Sequence, residues 1–145
     1  MSLSQQGSLL LSKFIKRNYS RRVVEVACGK HSRVASALSR SLEIIATDVL
    51  ESEAVDDRIR PLYTRDDIMS PDLQLYKNSQ LLYSIRPPFE IQHGMLNVAQ
   101  VVRADVLIKP LGNEITEVMQ AYLRNYHGIA FYHFRADTAL RHRTR

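Results

Sequence analysis

Short β-branched runs alternate with stretches of helical periodicity along nearly the whole chain, and no other property of the sequence restricts the fold as strongly. The run 23–26 is almost continuously apolar, as a strand covered on both faces must be. Before it, Leu10, Leu11, Phe14 and Ile15 recur at helical spacing and predict a helix over residues 3–18. After it, Val34, Ala35, Leu38 and Leu42 mark a second helix with Ser32 as its N-cap. A second strand covers 44–47 and ends at Asp48, residues 51–60 read as a loop or short helical turn, and a weak third strand, 62–64, is entered from Pro61. Ser70-Pro71-Asp72 opens a helical turn, and 80–85 is the fourth strand. Pro87-Pro88 then leads into a helix with Ile91, Met95, Val98, Ala99 and Val102 on one face. Asp105–Lys109 is the fifth strand, stopped by Pro110. Ile115, Val118, Met119, Tyr122 and Leu123 predict a further amphipathic helix, Gly128 a turn, and Ile129–Phe134 a last strand. This order specifies the α/β class: a doubly wound, mostly parallel sheet of about six strands with helices on both faces.

At 145 residues the chain suits one domain, expected over 1–135, with 136–145 a basic and flexible tail. No apolar run approaches the roughly 20 residues needed to cross a bilayer. Residues 1–11 lack the early basic residue and the cleavage site of a signal peptide. The single cysteine, Cys28, excludes an internal disulfide and a thiolate zinc site within one chain. His31, His93, His127, His133 and His142 show no metal-ligand spacing, and neither a Gly-x-Ser-x-Gly elbow nor a Walker loop occurs. The expectation is a cytoplasmic protein without a metal. A formal charge of +5 and a pI of about 9.6 admit a polyanionic partner such as RNA. The excess gathers in Lys13, Lys16, Arg17, Arg21 and Arg22, and again between Arg135 and Arg145, although a solvated helix face and a frayed terminus would carry the same charge. Tyr76, Tyr83, Tyr122, Tyr126 and Tyr132 fall on different elements, which argues against a base-stacking platform.

In open parallel sheets ligands bind beyond the carboxyl ends of the strands, where the winding reverses. Here that point lies after the first and fourth strands. The first of these ends reads Glu25-Val26-Ala27-Cys28-Gly29-Lys30-His31. Gly29 permits a tight turn and a close approach of backbone to ligand. Asp48 closes the second strand, where a carboxylate can meet the hydroxyls of a ribose. Asp66-Asp67 follows the third, where a carboxylate can accept from an adenine amino group.

Strand, Glu25, glycine-containing turn, helix, strand, Asp48, strand, Asp67 resembles the first three motifs of the class I S-adenosylmethionine-dependent methyltransferases. The resemblance implies a Rossmann-like fold with sheet order 3-2-1-4-5 and a last edge strand. It implies a cofactor site at Glu25, Ala27, Gly29, Asp48 and Asp67 (or Asp66), with Glu25 serving the methionine amino group. Of the three alternate glycines in that motif only the middle one, Gly29, is present; Ala27 and His31 stand at the others. The phrases Tyr83-Ser84-Ile85-Arg86-Pro87-Pro88 and Ile108-Lys109-Pro110-Leu111-Gly112 are similar to a small, largely archaeal family of uncharacterised proteins with this fold.

Chemistry candidates sit after the fourth strand. Ser84 and Arg86 precede Pro87-Pro88-Phe89, in a segment similar to the Asn/Asp-Pro-Pro-aromatic motif of amine methyltransferases. Arg86 only donates hydrogen bonds, so it suits an anionic acceptor and not an amine. Lys109 is expected either to line the pocket or to pair with Glu114. An acid-rimmed crevice of Glu25, Asp48 and Asp67 favours a cationic nucleoside over the pyrophosphate of NAD. The leading expectation is thus an S-adenosylmethionine-binding protein, a methyltransferase of an anionic acceptor such as RNA. The alternatives are an NAD-type nucleotide binder and a non-catalytic Rossmann-like module for nucleic acid or a protein partner. The second alternative is favoured by shortness, because too little follows Phe134 to add a final hairpin strand.

Overall fold

The computed structural model describes residues 3–110 and 122–136. Helix α1, Gln5–Asn18, starts where the Ser4 hydroxyl accepts from Gly7 N at 2.9 Å. Strand β1, Arg22–Val26, leads through a loop into α2, Arg33–Leu38, and then into β2, Ile44–Asp48. Three short 3-10 turns punctuate the path through β3, Tyr63–Arg65, to β4, Ser79–Ile85. Helix α3, Phe89–Val102, β5, Asp105–Lys109, β6, Tyr122–Tyr126, and β7, Ile129–Phe134, complete the described elements. The sheet runs β3-β2-β1-β4-β5-β7-β6, parallel through β5 and antiparallel at β7 and β6.

The pleat sorts each strand's residues between two cores. Val23, Leu81, Tyr83 and Leu107 face α1 and α2, where Leu11, Phe14, Ile15, Val34 and Leu38 are buried. Val24, Leu82, Val106 and Ile108 face α3, where Met95, Val98 and Ala99 are buried. Two steps after Val23, Glu25 falls by the same alternation on the α1–α2 face. Among the described residues no helix is long and apolar enough to cross a membrane.

The structure alters the reading of the last third of the chain. Tyr122 and Leu123, expected at the end of a helix, begin β6; the rest of that predicted helix, like the tail from 137 onward, lies outside the described residues. The last strand in sequence, β7, is not at the edge: β6 occupies the edge and β7 is paired on both sides. The hairpin strand expected to be missing therefore precedes β7 instead of following it. Its signal was the two-residue turn His127-Gly128, with φ of 51° and 97°. Positive φ at both positions is the conformation that joins twisted antiparallel strands most directly.

At the foot of the sheet a polar cluster ties α1 to the last strands. The Tyr19 hydroxyl donates to Asp105 Oδ2 at 2.6 Å and lies 2.7 Å from His133 Nε2. Ala136 N donates to Asp105 Oδ1 at 2.9 Å, and the Arg135 guanidinium makes an ion pair with Oδ2 at 3.2 Å. Burial pushes His133 down to about 3, so it is neutral; Nε2–H donates to the Tyr19 oxygen while Nδ1 has no partner.

Candidate functional site

The turn after β1 is built on two left-handed residues, Ala27 at φ 56° and Gly29 at φ 69°. Alanine rarely adopts that region, yet Ala27 keeps the bend that a glycine would give. Cys28 N donates to Thr47 O at 3.0 Å, and Gly29 N donates to Asp48 Oδ2 at 2.8 Å, which lash the turn to the end of β2. A Cβ built on Gly29 would meet nothing within 4 Å, so its outer side is open. Ser32 caps α2 by accepting from Ala35 N, and its own proton goes to Glu25 Oε1 at 2.5 Å. Tyr83, in register with Glu25 on the neighbouring strand, donates to the same oxygen at 2.6 Å.

Glu25 is 2% exposed and, among the described residues, has two neutral hydroxyls as partners but no cation. Burial pushes its carboxyl up to about 7; the Ser32 and Tyr83 hydrogen bonds pull the other way, and Asp48 adds to the rise. Burial beside Glu25 and Asp48 also holds the Cys28 thiol well above its ordinary range, so it stays protonated and is no nucleophile.

A cavity of about 780 Å³ opens over this turn, with Glu25, Ala27 and Gly29 in its lining. That is within the roughly 300–1,000 Å³ usual for a small-molecule site. The N-terminal part of α1, including Ser8 and Leu9, forms another wall, and Arg86 with Ile85 enters from the end of β4. Arg33, Arg40 and Arg58 stand around it. Arg58 N donates to Asp56 Oδ1 at 2.8 Å, Asp56 Oδ2 lies 3.2 Å from His31 Nδ1, and Asp56 N donates to Lys30 O at 2.7 Å. The loop after β2 is thereby fastened to the turn after β1.

A family model described as Uncharacterised protein family (UPF0146) matches residues 9–136. The chain belongs to UPF0146. A UPF0146 protein of Archaeoglobus fulgidus is 38% identical over 130 residues, covering 89% of this chain and 95% of its own length. Among solved structures, a TehB-like SAM-dependent methyltransferase from Corynebacterium glutamicum gives a TM-score of 0.60 at 13% identity, over 86% of this chain and 85% of that one. An RNA methyltransferase from Salinibacter ruber, in complex with S-adenosyl-L-homocysteine, gives 0.60 at 8% identity over 92% of each chain. Likeness at such identities is one of fold: the UPF0146 chain has the Rossmann-like methyltransferase fold, with the antiparallel β7 set between β5 and β6.

Within UPF0146's fold the predicted site residues separate into two groups. Glu25, Ala27, Gly29 and Arg86 share the cavity; Asp48 and Asp67 do not line it. Asp48 is turned back on the backbone, accepting from Gly29 N and from Val49 N at 2.6 Å. Asp67 is exposed and accepts from Met69 N at 2.9 Å, whereas Asp66 is engaged by Asp72 N and the Tyr76 hydroxyl. Ser84 is fully buried and donates to Val26 O at 2.6 Å, so it serves the sheet. Lys109 Nζ reaches Pro110 O at 3.0 Å; its expected alternative partner, Glu114, lies outside the described residues. Ser32 and Tyr83 were not foreseen as partners of Glu25. Strand register was the available signal for Tyr83, since both residues point to the α1–α2 face. Arg33, Arg40 and Arg58 were not foreseen either, and no motif marks them.

Proposed function

We propose that this protein binds S-adenosylmethionine in the cavity over β1 and transfers its methyl group to an anionic acceptor, with RNA the favoured class. The observation that carries this reading is Glu25, a buried carboxyl in the lining of an open cavity with no cationic partner among the described residues. A carboxyl poised near neutrality ionises fully once a positive group sits beside it. The ammonium of a methionine moiety is such a group.

The residues present fit that cofactor. Ala27 and Gly29 give a turn that leaves room for close approach. Asp48 lies outside the cavity lining but is held beside the turn by Gly29 N; each of its oxygens accepts one backbone N–H and keeps a second lone pair, so a ribose that extends past Gly29 would place its two hydroxyls there. Asp67, free of the side-chain bond that engages Asp66, would accept from the adenine amino group. When bound, S-adenosylmethionine supplies a methyl group activated by its sulfonium. The chain's own contribution is positioning. Arg86, whose Nε is buried without a hydrogen-bond partner, would hold an anionic acceptor, and Arg33, Arg40 and Arg58 give the approach a positive field.

Isothermal titration with S-adenosylmethionine and with S-adenosylhomocysteine at pH 6, 7 and 8 tests this. A cation beside a carboxyl that titrates near 7 displaces its proton, so affinity should rise about tenfold from pH 6 to pH 8. Glu25→Gln should flatten that rise. Absence of heat with both ligands, in protein shown folded by circular dichroism, would remove the cofactor and leave a non-catalytic binding module. Tighter binding of NAD than of either ligand would replace the reading with a nicotinamide one.

A further inference from the structure

A second hollow, of about 560 Å³, lies on the far side of α1 from the β1 cavity. One wall is the solvent face of α1 with Lys13, Lys16 and Arg17, and the other is the tip of the β6–β7 hairpin with Tyr126 and His127. The three cations are exposed and have no acidic partner among the described residues. None of the chain's 15 acidic residues falls within α1 or within 122–134. Arg124 shares the face of β6 that carries Tyr126, and its charge is felt at Tyr19 and His133 beneath α1. Three permanent positive charges thus line one groove, and Arg124 stands two residues before Tyr126 on β6, with no acidic partner for any of the four among the described residues.

The groove ends on rings. Tyr126 packs edge-on against Phe14 at 5.4 Å, and His127 stands edge-on to Tyr126 at 4.4 Å. The tyrosines are scattered over different elements, but the tight turn sets this one against a histidine whose outer face is exposed. Lys13 and Arg17 are one helical turn apart, about 6 Å along the axis, a step that successive phosphates of an extended single strand can follow. A cationic track closed by an aromatic face is how proteins hold single strands without reading sequence. A membrane fits less well, because the apolar face of α1, Leu11, Phe14 and Ile15, is already buried against the sheet.

We infer that the groove between α1 and the β6–β7 hairpin binds single-stranded nucleic acid, with its phosphates on Lys13, Arg17 and Arg124 and a base on His127. The inference does not depend on the cofactor reading. If it holds together with that reading, α1 leads a strand from this groove toward the cavity, because the same helix walls both.

The experiment is fluorescence anisotropy of the full chain with labelled ten-nucleotide RNA and DNA single strands, the matching duplexes, and anionic phosphatidylserine vesicles, across a salt series. Single strands should bind more tightly than duplexes or vesicles, with affinity falling as salt rises. The RNA and DNA arms show whether the sugar matters. Lys13→Glu with Arg17→Glu should weaken single-strand binding at least tenfold and lower the slope of log K against log salt by about 1.4, at roughly 0.7 for each phosphate no longer neutralised. His127→Asn, which keeps a residue tolerant of positive φ and removes the ring, should cost about fivefold or more. Circular dichroism checks that both variants are folded. Salt-independent binding, preference for duplex or vesicles, or wild-type affinity in the folded double variant would each overturn the inference. Glu25→Gln should leave oligonucleotide binding unchanged, and the double variant should leave the S-adenosylmethionine heat unchanged, so the two proposals fail separately.

Discussion

Two carboxyls, at opposite ends of the sheet, are almost equally hidden and very differently treated. Asp105, at the foot of β5, is 7% exposed; it receives the Tyr19 hydroxyl and Ala136 N and is paired with Arg135. Glu25, near the head of β1, is 2% exposed and receives only two neutral hydroxyls, both on one oxygen. The first charge is compensated within the chain, so its site is finished when the protein folds. The second is left uncompensated beside a cavity. A buried acid without a cation costs stability, and groups treated in this way are concentrated at functional sites.

The most severe test of the contrast is at the foot of the sheet. Asp105→Asn should destabilise the protein by about 3 kcal/mol, because the buried Tyr19 hydroxyl and Ala136 N lose a charged acceptor, while the partly exposed Arg135 adds little. Urea unfolding measures it, and a loss below about 1 kcal/mol would mean that Asp105 is not the clamp described. At the head, the sign reverses. The Glu25 carboxyl titrates near 7 in the folded state against 4.5 for the ordinary value, so between those pH values the folded form holds the extra proton. Stability is therefore lost as pH rises from about 4.5 to 7, by up to about 3 kcal/mol, and is constant above that. Glu25→Gln should remove the loss: the difference between wild type and variant should grow over this window in the variant's favour. A difference that is flat with pH would show that Glu25 is compensated after all. The smallest effect belongs to the turn. Ala27→Gly should stabilise by about 0.5 kcal/mol, relief of the left-handed alanine being partly offset by the glycine's greater chain entropy. Thermal melts would sharpen the comparison, since a gain there marks the head of the sheet as the strained end.

The β-α alternation made the class and most element positions legible, because each strand's apolar run and each helix's spacing report burial directly. The hairpin was misread because Tyr122 and Leu123 fit a helical period as well as a strand, and the decisive clue lay in the His127-Gly128 backbone. At the site, Glu25, Ala27 and Gly29 were placed together because they belong to one short turn. Asp48 and Asp67 could be placed on the right edge of the sheet, but spacing says nothing about rotamers. Asp48 turns toward Gly29 N, 19 residues back along the chain. Arg58 was invisible for the same kind of reason: it reaches the cavity only through the folded path between β2 and β3.

The helix that walls the cavity comes before every described strand, yet it rests on the last of them: Phe14 meets Phe131 at 4.7 Å, and Tyr19 meets His133 across 114 positions of sequence. During synthesis α1 is made before the hairpin and must wait for it before it can dock. Contacts so distant in sequence form slowly, so the cavity is expected to be the last part of the molecule to mature.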